Sequence, residues 1–371
     1  MIKYLLLFCM LITSLMPAFS QDEEEEESLV ILTKRAAQFT LLVPPLSTDL
    51  GKTRRYEYKF SFNAFIGITG GVDGFELAGF LNHNRSDMTG FQLAGFANIN
   101  GGEVNGVQIA GFLNMADDGE LYTQIGGFIN SAGDIKGLQL SGFMGTAYDV
   151  TGLQTSGFIN TARNLTGLQI GGFINVAKNV KGVQLAGFIN ICDSIKGVPI
   201  GFINIVGSNG YSAFEISTAD LGNFFIAGKL GVKKLYNIYS IGKLNGPANR
   251  MAYGFGMGTE TDLSPKVRMN FEGIVHQEVW IGEKKKDNPY SSFLLQDRLN
   301  MWNQIRLNIS YDISEKVSVF AGPSYNVAIS GTPATPELEE SIAPSWTFKE
   351  GTTKNGNTMK YWVGFNAGLR F

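Results

Sequence analysis

Between residues 56 and 208 the chain repeats one pattern of hydrophobic and polar positions. Each copy reads Gly, Leu or Val, Gln, Leu or Ile, a small residue, Gly, Phe, Ile or Leu, and Asn, as in "GLQIGGFIN". No helical period of 3.6 residues runs through this pattern, and each of its glycines would destabilise a helix by about 1 kcal/mol. The pattern therefore predicts strands and turns, repeated at steps of 14 to 16 residues and marked by Phe80, Phe96, Phe112, Phe128, Phe143, Phe158, Phe173, Phe188 and Phe202.

Amide side chains recur at fixed places within the copies. Asn stands two residues after every one of these phenylalanines except Phe143, where Gly145 takes its place. Stacked as coils of a parallel β-solenoid, the copies would form ladders of amides and rings at the strand spacing of about 4.8 Å. We predict such a solenoid, with Leu and Ile hidden inside and with a Gln column four residues before Phe: Gln92, Gln108, Gln124, Gln139, Gln154, Gln169 and Gln184, preceded by Glu76 and replaced by Pro199 in the last copy.

An alternative architecture reads each copy as a single transmembrane strand. In "GLQIGGFINVA" the residues Leu168, Ile170 and Ile174 share one face, opposite Gln169 and Asn175. Nine such strands, one from "YEYKFSFNAFIGI" and eight C-terminal ones would make one antiparallel barrel of about 18 strands, wide enough for a channel. Two features favour the solenoid. Every copy carries the same turn, whereas an antiparallel meander needs two, and the proline in the last copy, which lacks an N–H, suits a terminal coil.

After Gly210 the pattern changes to period-two alternation in eight segments. In "LNMWNQIRLNISYD" Ile305 and Leu307 lie opposite Arg306 and Asn308. The connections alternate between short turns ("DLSPK", "SEK") and long polar loops (282–297 and 331–359), and the chain ends on an aromatic strand at Phe371. These features predict an outer-membrane-type barrel of about eight strands, at 211–218, 224–232, 235–244, 251–261, 267–281, 298–312, 317–330 and 360–371.

The N-terminus has the composition of a cleavable export signal. Lys3 precedes the apolar run "YLLLFCMLITSLM", which is followed by small residues up to Ser20. Removal of this segment leaves Cys192 as the only cysteine, so one mature chain cannot form a disulfide framework. The following "QDEEEEES" is a run of like charge and predicts a solvated lead-in.

Composition excludes one class of partner and favours one fold class. A formal charge of −3 gives no basic surface for nucleic acid. With 46 Gly, 27 Phe and only 17% charged residues, the chain is poor in the Lys and Glu of soluble helical surfaces, which favours β structure.

Several quoted segments resemble a known family. The GFxN-type repeats, the opening "YKFSFNAFIGITGGVDGFELAGF", the junction "GVPIGFINIV" and the ending "WVGFNAGLRF" are similar to the surface-repeat family of exported proteins of Gram-negative bacteria, whose members are mostly uncharacterised. The resemblance covers most of residues 56–371. It implies a location in the cell envelope and supplies no catalytic residue.

No catalytic, cofactor-binding or metal-ligating residue is predicted. His83 and His276 are the only histidines, too few for a metal cluster, and we expect a hydrogen bond inside the barrel for His276. "GFGMG" at 254–258 has no following helix, so we interpret its glycines as relief of crowding rather than a nucleotide loop. Cys192 stands where most copies have Ala, which predicts a buried small residue. The Gln and Asn columns would bind carbohydrate only if they were exposed.

The sequence thus predicts an all-β protein with a signal peptide (1–20), an acidic lead-in (21–55), a nine-coil β-solenoid (56–208) and a C-terminal antiparallel β-barrel (209–371). We expect a non-enzymatic outer-membrane protein that acts as a repeat scaffold or binding protein, with a pore or a small lipid-modifying enzyme as alternatives. The expected partners are outer-membrane lipid and an unidentified carbohydrate or protein ligand, with no cofactor. An even number of barrel strands would return Tyr211 to the periplasmic side, where Phe371 lies, and would place the repeats there too.

Overall fold

The computed structural model describes residues 33–245, 250–280, 300–331 and 343–371. The predicted signal peptide, the acidic run, the loop 282–297 and residues 332–342 of the second long loop lie outside the described residues. The described chain contains a parallel β-solenoid of about ten turns of about 15 residues and an antiparallel sheet. It divides into two compact units, Met1–Gly172 and Phe173–Phe371.

The first unit is built from parallel strands. Equivalent residues of successive copies lie side by side, so that Gln139 pairs with Gln154 and Leu138 with Leu153. Short 3₁₀ turns lie at Pro44–Leu46 and Thr53–Arg55. The strands are β1 (Thr33–Thr40), β2 (Tyr56–Asn63), β3 (Ile66–Thr69), β4 (Gly71–Ala78), β5 (Leu81–Asn84), β6 (Met88–Ala94), β7 (Ala97–Ala110), β8 (Leu113–Asp118), β9 (Glu120–Gly126), β10 (Ile129–Ser141), β11 (Met144–Ser156) and β12 (Ile159–Gly171).

The predicted stacking of like residues is confirmed. Because the repeats pair in parallel, the alternative of one antiparallel barrel of about 18 strands is wrong. The solenoid also begins earlier than predicted, since β1 pairs in parallel with β2 and lies within the expected lead-in. The sequence "TKRAAQFT" carries none of the repeat's Gly or Asn signals, so the pattern could not place it.

Two glycine columns make the close stacking of the coils possible. Gly152 has φ +135°, and a Cβ there would lie 2.1 Å from the carbonyl oxygen of Gly137. At Gly142 a Cβ would lie 1.9 Å from the carbonyl oxygen of Gly127. Only glycine avoids both the steric clash and the strained backbone, so these two positions repeat in the sequence because the coil geometry repeats.

The second unit contains three parallel strands followed by the antiparallel sheet. Its strands are β13 (Ile174–Ala186), β14 (Ile189–Ile200), β15 (Ile203–Val206), β16 (Tyr211–Ala219), β17 (Gly222–Val232), β18 (Leu235–Leu244), β19 (Arg250–Ser264), β20 (Val267–Trp280), β21 (Asn300–Asp312), β22 (Ser318–Ser330), β23 (Lys349–Thr352) and β24 (Thr358–Arg370). The eight predicted segments correspond to β16–β22 and β24, and β23 lies inside a predicted loop.

The antiparallel sheet has the strand order β16-β17-β18-β19-β20-β21-β22-β24-β23, and β16 also pairs with β24. Phe214 and Phe371 exchange backbone hydrogen bonds of 3.1 and 2.8 Å. The beginning of β16 and the C-terminus therefore lie at the same end of the sheet, as the even strand number predicts.

Side chains cover the polar backbone at the last solenoid coil. The Asn209 amide accepts a hydrogen bond from the Ile195 N–H at 2.9 Å and donates one to the Ile195 carbonyl at 2.6 Å. An unpaired strand edge exposes such groups and invites association with other chains. Asn209 thus substitutes for a further strand at this position.

Candidate functional surfaces and the buried charge cluster

The two faces of the antiparallel sheet have the opposite polarity to those of a soluble protein. On β21 the polar Gln304, Arg306 and Asn308 are buried, whereas Ile305 and Leu307 are exposed. The same alternation continues around the sheet, with exposed Phe214, Phe224, Ile241, Phe255, Met257, Phe271, Val275, Ile309, Tyr311, Val319, Tyr325, Val363, Phe365 and Leu369. We call these exposed side chains the apolar belt. The sequence predicted correctly which residues share a face.

Three carboxylates and three cations meet on the buried face. They form one charge cluster of Glu215, Glu260, Glu272, Lys229, Arg306 and Arg370, whose side chains are almost completely buried. The Lys229 ammonium lies 2.5 Å from Glu215 and also contacts Glu272. Arg306 contacts Glu272 at 2.5 Å and Glu215 at 3.2 Å. Arg370 joins Glu215 at 2.7 Å to Glu260 at 2.8 Å.

Neutral side chains complete the hydrogen bonding of this cluster. Tyr236 donates to Glu272 at 2.6 Å, and Tyr211 donates to Glu260 at 3.0 Å. Asn270 donates to Glu260 at 2.9 Å and accepts from Arg370 at 3.1 Å. The formal charges balance, and each carboxylate is bound by at least one cation. Such a paired arrangement is the condition under which buried charges are tolerated.

His276 and Trp302 lie in another part of the buried face of the sheet. His276 is buried as predicted, with its Nε2 3.0 Å from the Ser240 Oγ and its ring 4.5 Å from that of Trp302. This Ser–His contact could not be predicted from the sequence, because Ser240 and His276 come together only through the pairing of β18, β19 and β20. No Asp or Glu hydrogen-bonds this ring among the described residues, so the pair lacks the acidic member of a catalytic triad.

The glycines of "GFGMG" and His83, which the sequence singled out, also lie within strands. The three glycines of "GFGMG" lie on β19 facing the interior, where a Cβ at Gly254 would lie 2.4 Å from the His276 ring. They relieve crowding, as predicted. His83 lies on β5, between Ile68 and Ile99 of the neighbouring coils. Within the described ranges, no three His, Cys, Asp or Glu side chains form a group that could hold a metal ion.

Cys192 lies inside the solenoid, beside Ala177 of the preceding coil. Its side chain is buried, as the sequence predicted. Burial raises the pKa of its thiol to about 12, with a smaller contribution from the Asp193 carboxylate. The thiol is therefore protonated at neutral pH, and only the thiolate form of a cysteine is a strong nucleophile.

The solenoid interior is largely polar. In the first unit each Gln side chain donates its amide hydrogen to the Gln of the preceding coil, and the column ends on the Glu76 carboxylate, which accepts from Gln92 at 2.8 Å. The Asn column donates in the opposite direction, toward the following coil, as from Asn98 to Asn114 at 2.9 Å. In the second unit Asn175 donates to Asn190 at 3.0 Å. All these amides are fully buried, so they belong to the core and are not available to bind carbohydrate.

The motif's large apolar side chains lie outside, contrary to the prediction that the solenoid hides its Leu and Ile. The apolar residue between motifs points inward, as at Met88, Val150 and Leu165. The motif phenylalanines form what we call the phenylalanine ridge, with ring centroids 4.8 to 5.1 Å apart from Phe80 to Phe158. Those from Phe96 to Phe158 are 37–39% exposed. Alternation showed which residues share a face but not which face is inside.

In the second unit the phenylalanine ridge meets the apolar belt. The Phe202 ring lies 5.4 Å from that of Phe255 and 5.7 Å from that of Tyr239. The buried Asn237 side chain of β18 donates to the carbonyl oxygens of Gly201 at 2.6 Å and Phe202 at 2.8 Å. The last coil is therefore fixed to the outer face of the sheet.

Comparison with known proteins identifies no relative. No model of a known protein family matches the chain, and a search of curated proteins found no significant match. Among the described residues, no helix has the length and apolar composition needed to cross a membrane.

Proposed function

We propose that the protein is a non-enzymatic component of the Gram-negative outer membrane. In this proposal residues 211–371 form a closed eight-stranded barrel that anchors the chain, and the parallel coils form a repeat scaffold. The proposal includes export through the N-terminal signal. It also relies on the resemblance of the repeats to the surface-repeat family.

The observation that carries the proposal is the inverted polarity of the antiparallel sheet. Its buried face holds the charge cluster, while Leu307, Phe271 and Val363 are exposed on the other face. In water, exposure of such a continuous apolar face would be unfavourable and would favour aggregation. In a bilayer, an apolar exterior around a polar interior is the stable arrangement.

The strand pairing supports closure of this sheet. A sheet in hydrocarbon must leave no unpaired edge, and the pairing of β16 with β24 gives each of the eight long strands two neighbours. The connections at one end of the sheet, 233–234, 265–266 and 313–317, are all short. The other end has the short connections 220–221 and 245–249 and the two long ones, 281–299 and 331–357. Short turns characterise the periplasmic end of outer-membrane barrels, so we assign Tyr211, Phe371 and the coils to the periplasmic side of the membrane.

Placement of a charge on the apolar belt tests the proposal. Leu307 lies within β21, and Arg at the bilayer midplane costs about 2–4 kcal/mol. We expect Leu307→Arg to reduce recovery in the outer-membrane fraction and to abolish the faster migration of the unheated protein in detergent gels. Glu315→Arg adds an arginine in the exposed turn between β21 and β22 and should leave both readouts unchanged.

The opposite result would contradict the anchor. If the exposed face of the sheet contacts water, Leu307→Arg should increase solubility, and the wild-type chain should be recovered as a soluble periplasmic protein. Deletion of Phe371, which hydrogen-bonds through its backbone to Phe214, provides a second variant and should impair assembly.

A further inference from the structure

The solenoid coils have the same inverted polarity as the antiparallel sheet. Gln and Asn lie in their interior together with an apolar residue of each coil, while the outward side chains on both sides of the phenylalanine ridge are the motif's Leu, Val and Ile. A soluble solenoid would place these apolar residues inside. The residue before the positive-φ glycine of the repeat is instead polar, and it is exposed at Thr151 and Lys196. Each coil thus has an apolar outer side and a polar outer side.

In the second unit the apolar side of the coils continues into the apolar belt. The ring of Phe188 lies 5.0 Å from Phe173 and 5.8 Å from Phe202, whose ring in turn lies 5.4 Å from that of Phe255. Phe255 and its neighbour Met257 on β19 are both exposed on the face that we assign to lipid. Lipid that covers Phe255 would therefore meet the phenylalanine ridge directly.

We propose that the apolar side of the solenoid is itself a lipid-binding surface, which lies against the acyl chains of the inner leaflet of the outer membrane. This inference rests on the proposed function. The coils do not span the bilayer, because their polar outer side requires water or headgroups. They lie in the interface as a monotopic β structure, by the same physical principle that places an amphipathic helix there.

Two properties of the coils favour lipid over a protein partner. The backbone hydrogen bonds run from coil to coil, so the apolar side exposes few unpaired polar groups, as contact with hydrocarbon requires. The surface also repeats the same ring arrangement at each coil, whereas a protein partner anchors at a few distinct positions. A fluid lipid surface needs no such register. Exposed Lys181 and Lys196 on the polar side suit anionic headgroups or water.

Spin labels at matched positions test this inference on the full mature chain. Cys192→Ala removes the native thiol and restores the residue of the neighbouring coil at that position. Labels at Leu140→Cys and Leu185→Cys report on the apolar side in the two units, and Leu140 tolerates change because Thr155 is its counterpart in the next coil. Thr151→Cys and Lys196→Cys report on the polar side, and Val363→Cys on the apolar belt.

The proteins are reconstituted in vesicles of phosphatidylethanolamine and phosphatidylglycerol, and label accessibility to oxygen and to a water-soluble nickel chelate is compared. We expect the oxygen-to-nickel accessibility ratio at 140, 185 and 363 to be severalfold higher than at 151 and 196. Unchanged β content and unchanged migration of each unheated variant show that the labelled chains are folded.

The labels also separate failure of the inference from failure of the proposed function. Nickel access at 140 and 185, with oxygen preference at 363, would overturn the inference and leave the anchor intact. Nickel access at all three would overturn both. Exclusion of both reagents at 140 and 185, with spin–spin broadening that disappears on dilution with unlabelled protein, would assign the surface to a second copy of the chain and overturn lipid binding.

Discussion

Ser141 and Ser156 occupy the same position in successive coils but differ in what their hydroxyl groups do. Gly145 interrupts the Asn column, and the Asn130 amide donates instead to the Ser141 Oγ at 2.9 Å. The Ser156 Oγ is buried and has no hydrogen-bond partner among the residues that the structure describes. Most other copies have Ala here, as at Ala94 and Ala110. Ser141 therefore compensates for the gap that the sequence showed at Gly145.

We predict that Ser141→Ala lowers the free energy of unfolding by about 0.5–1.5 kcal/mol, because Asn130 loses one of its acceptors. Ser156→Ala removes a hydroxyl that makes no hydrogen bond and should be neutral or stabilising. Denaturant titrations of the detergent-solubilised chain would measure both variants. Equal destabilisation by the two substitutions would show that the hydroxyl of Ser141 does not maintain the ladder.

Glu76 is the one position at which the buried Gln column carries a carboxylate. It accepts hydrogen bonds from Ser61 at 3.0 Å, Asn84 at 3.0 Å and Gln92 at 2.8 Å. Burial raises the pKa of Glu76 to about 7 from 4.5, although these donors act in the opposite direction. Because the folded state binds its proton more tightly than the unfolded state, the contribution of Glu76 to stability is fully present below pH 4.5 and is lost as the pH rises through 7.

We predict that Glu76→Gln removes this pH dependence. A shift of this size corresponds to about 3 kcal/mol, so at pH 8 the variant should protect the amides of β4 and β6 better than wild type, and near pH 4.5 the two should be alike. Hydrogen exchange measured by mass spectrometry at each pH provides the comparison. Glu120→Gln, at an exposed position, is the control. A difference between Glu76→Gln and wild type that does not grow with pH would contradict the prediction.

At the scale of elements, the sequence predicted most strands because the two periodic signals are strong. The segment expected at 235–244 is β18, Leu235–Leu244, and the stacking of Gln139 on Gln154 follows from the constant repeat. The inward or outward orientation of the Leu and Ile columns could not be predicted, since alternation is the same in either case. The charge cluster was missed because Lys229 and Glu272 lie 43 residues apart and meet only across the folded sheet.

The charge cluster joins both neighbouring strands and strands that are not neighbours, such as β17 and β20, and this predicts a large effect of removing one charge. Glu272 on β20 binds Lys229 on β17 and Arg306 on β21. Glu272→Gln leaves both cations insufficiently paired in a buried site, which we expect to destabilise the sheet by about 3–5 kcal/mol. Thermal unfolding of the detergent-solubilised chain, followed by the fluorescence of the buried Trp302 and Trp362, would measure this loss.

An exposed ion pair of the same sheet provides the control. Glu350 lies 3.2 Å from Lys360, and its side chain is 61% exposed. Because solvent screens such pairs, Glu350→Gln should change stability by less than about 1 kcal/mol. Similar losses in the two variants would mean that the buried cluster does not hold the strands together.

At the scale of the whole molecule, polarity is inverted in both the parallel coils and the antiparallel sheet. The coils hold amide ladders inside, and the sheet holds its charge cluster on the buried face. Composition alone could not indicate this, because 44% apolar residues would equally supply an ordinary core. Polar side chains can be buried only where they find hydrogen-bond partners. In the coils the repeat supplies these partners by placing like amides in register.

The side chains on the buried face of the antiparallel sheet argue against the pore alternative. An eight-stranded barrel has an interior just wide enough for side chains. Here the charge cluster occupies one part of the buried face, and Phe225, Trp302 and Trp362 with their apolar neighbours occupy another. Because the charges are paired with each other and the aromatic rings are packed together, no continuous column of water is expected to cross the proposed barrel.

We therefore predict that the reconstituted chain gives no steady conductance in planar lipid bilayers. Protein recovered from the same vesicles should still migrate faster unheated than heated, which ensures that folded molecules were present during the recordings. Current through the lipid alone is the blank, and Glu350→Gln, which leaves the interior intact, should behave as wild type. A large, ohmic conductance that increases with salt concentration would contradict a filled interior and would favour the transport function over the anchored scaffold.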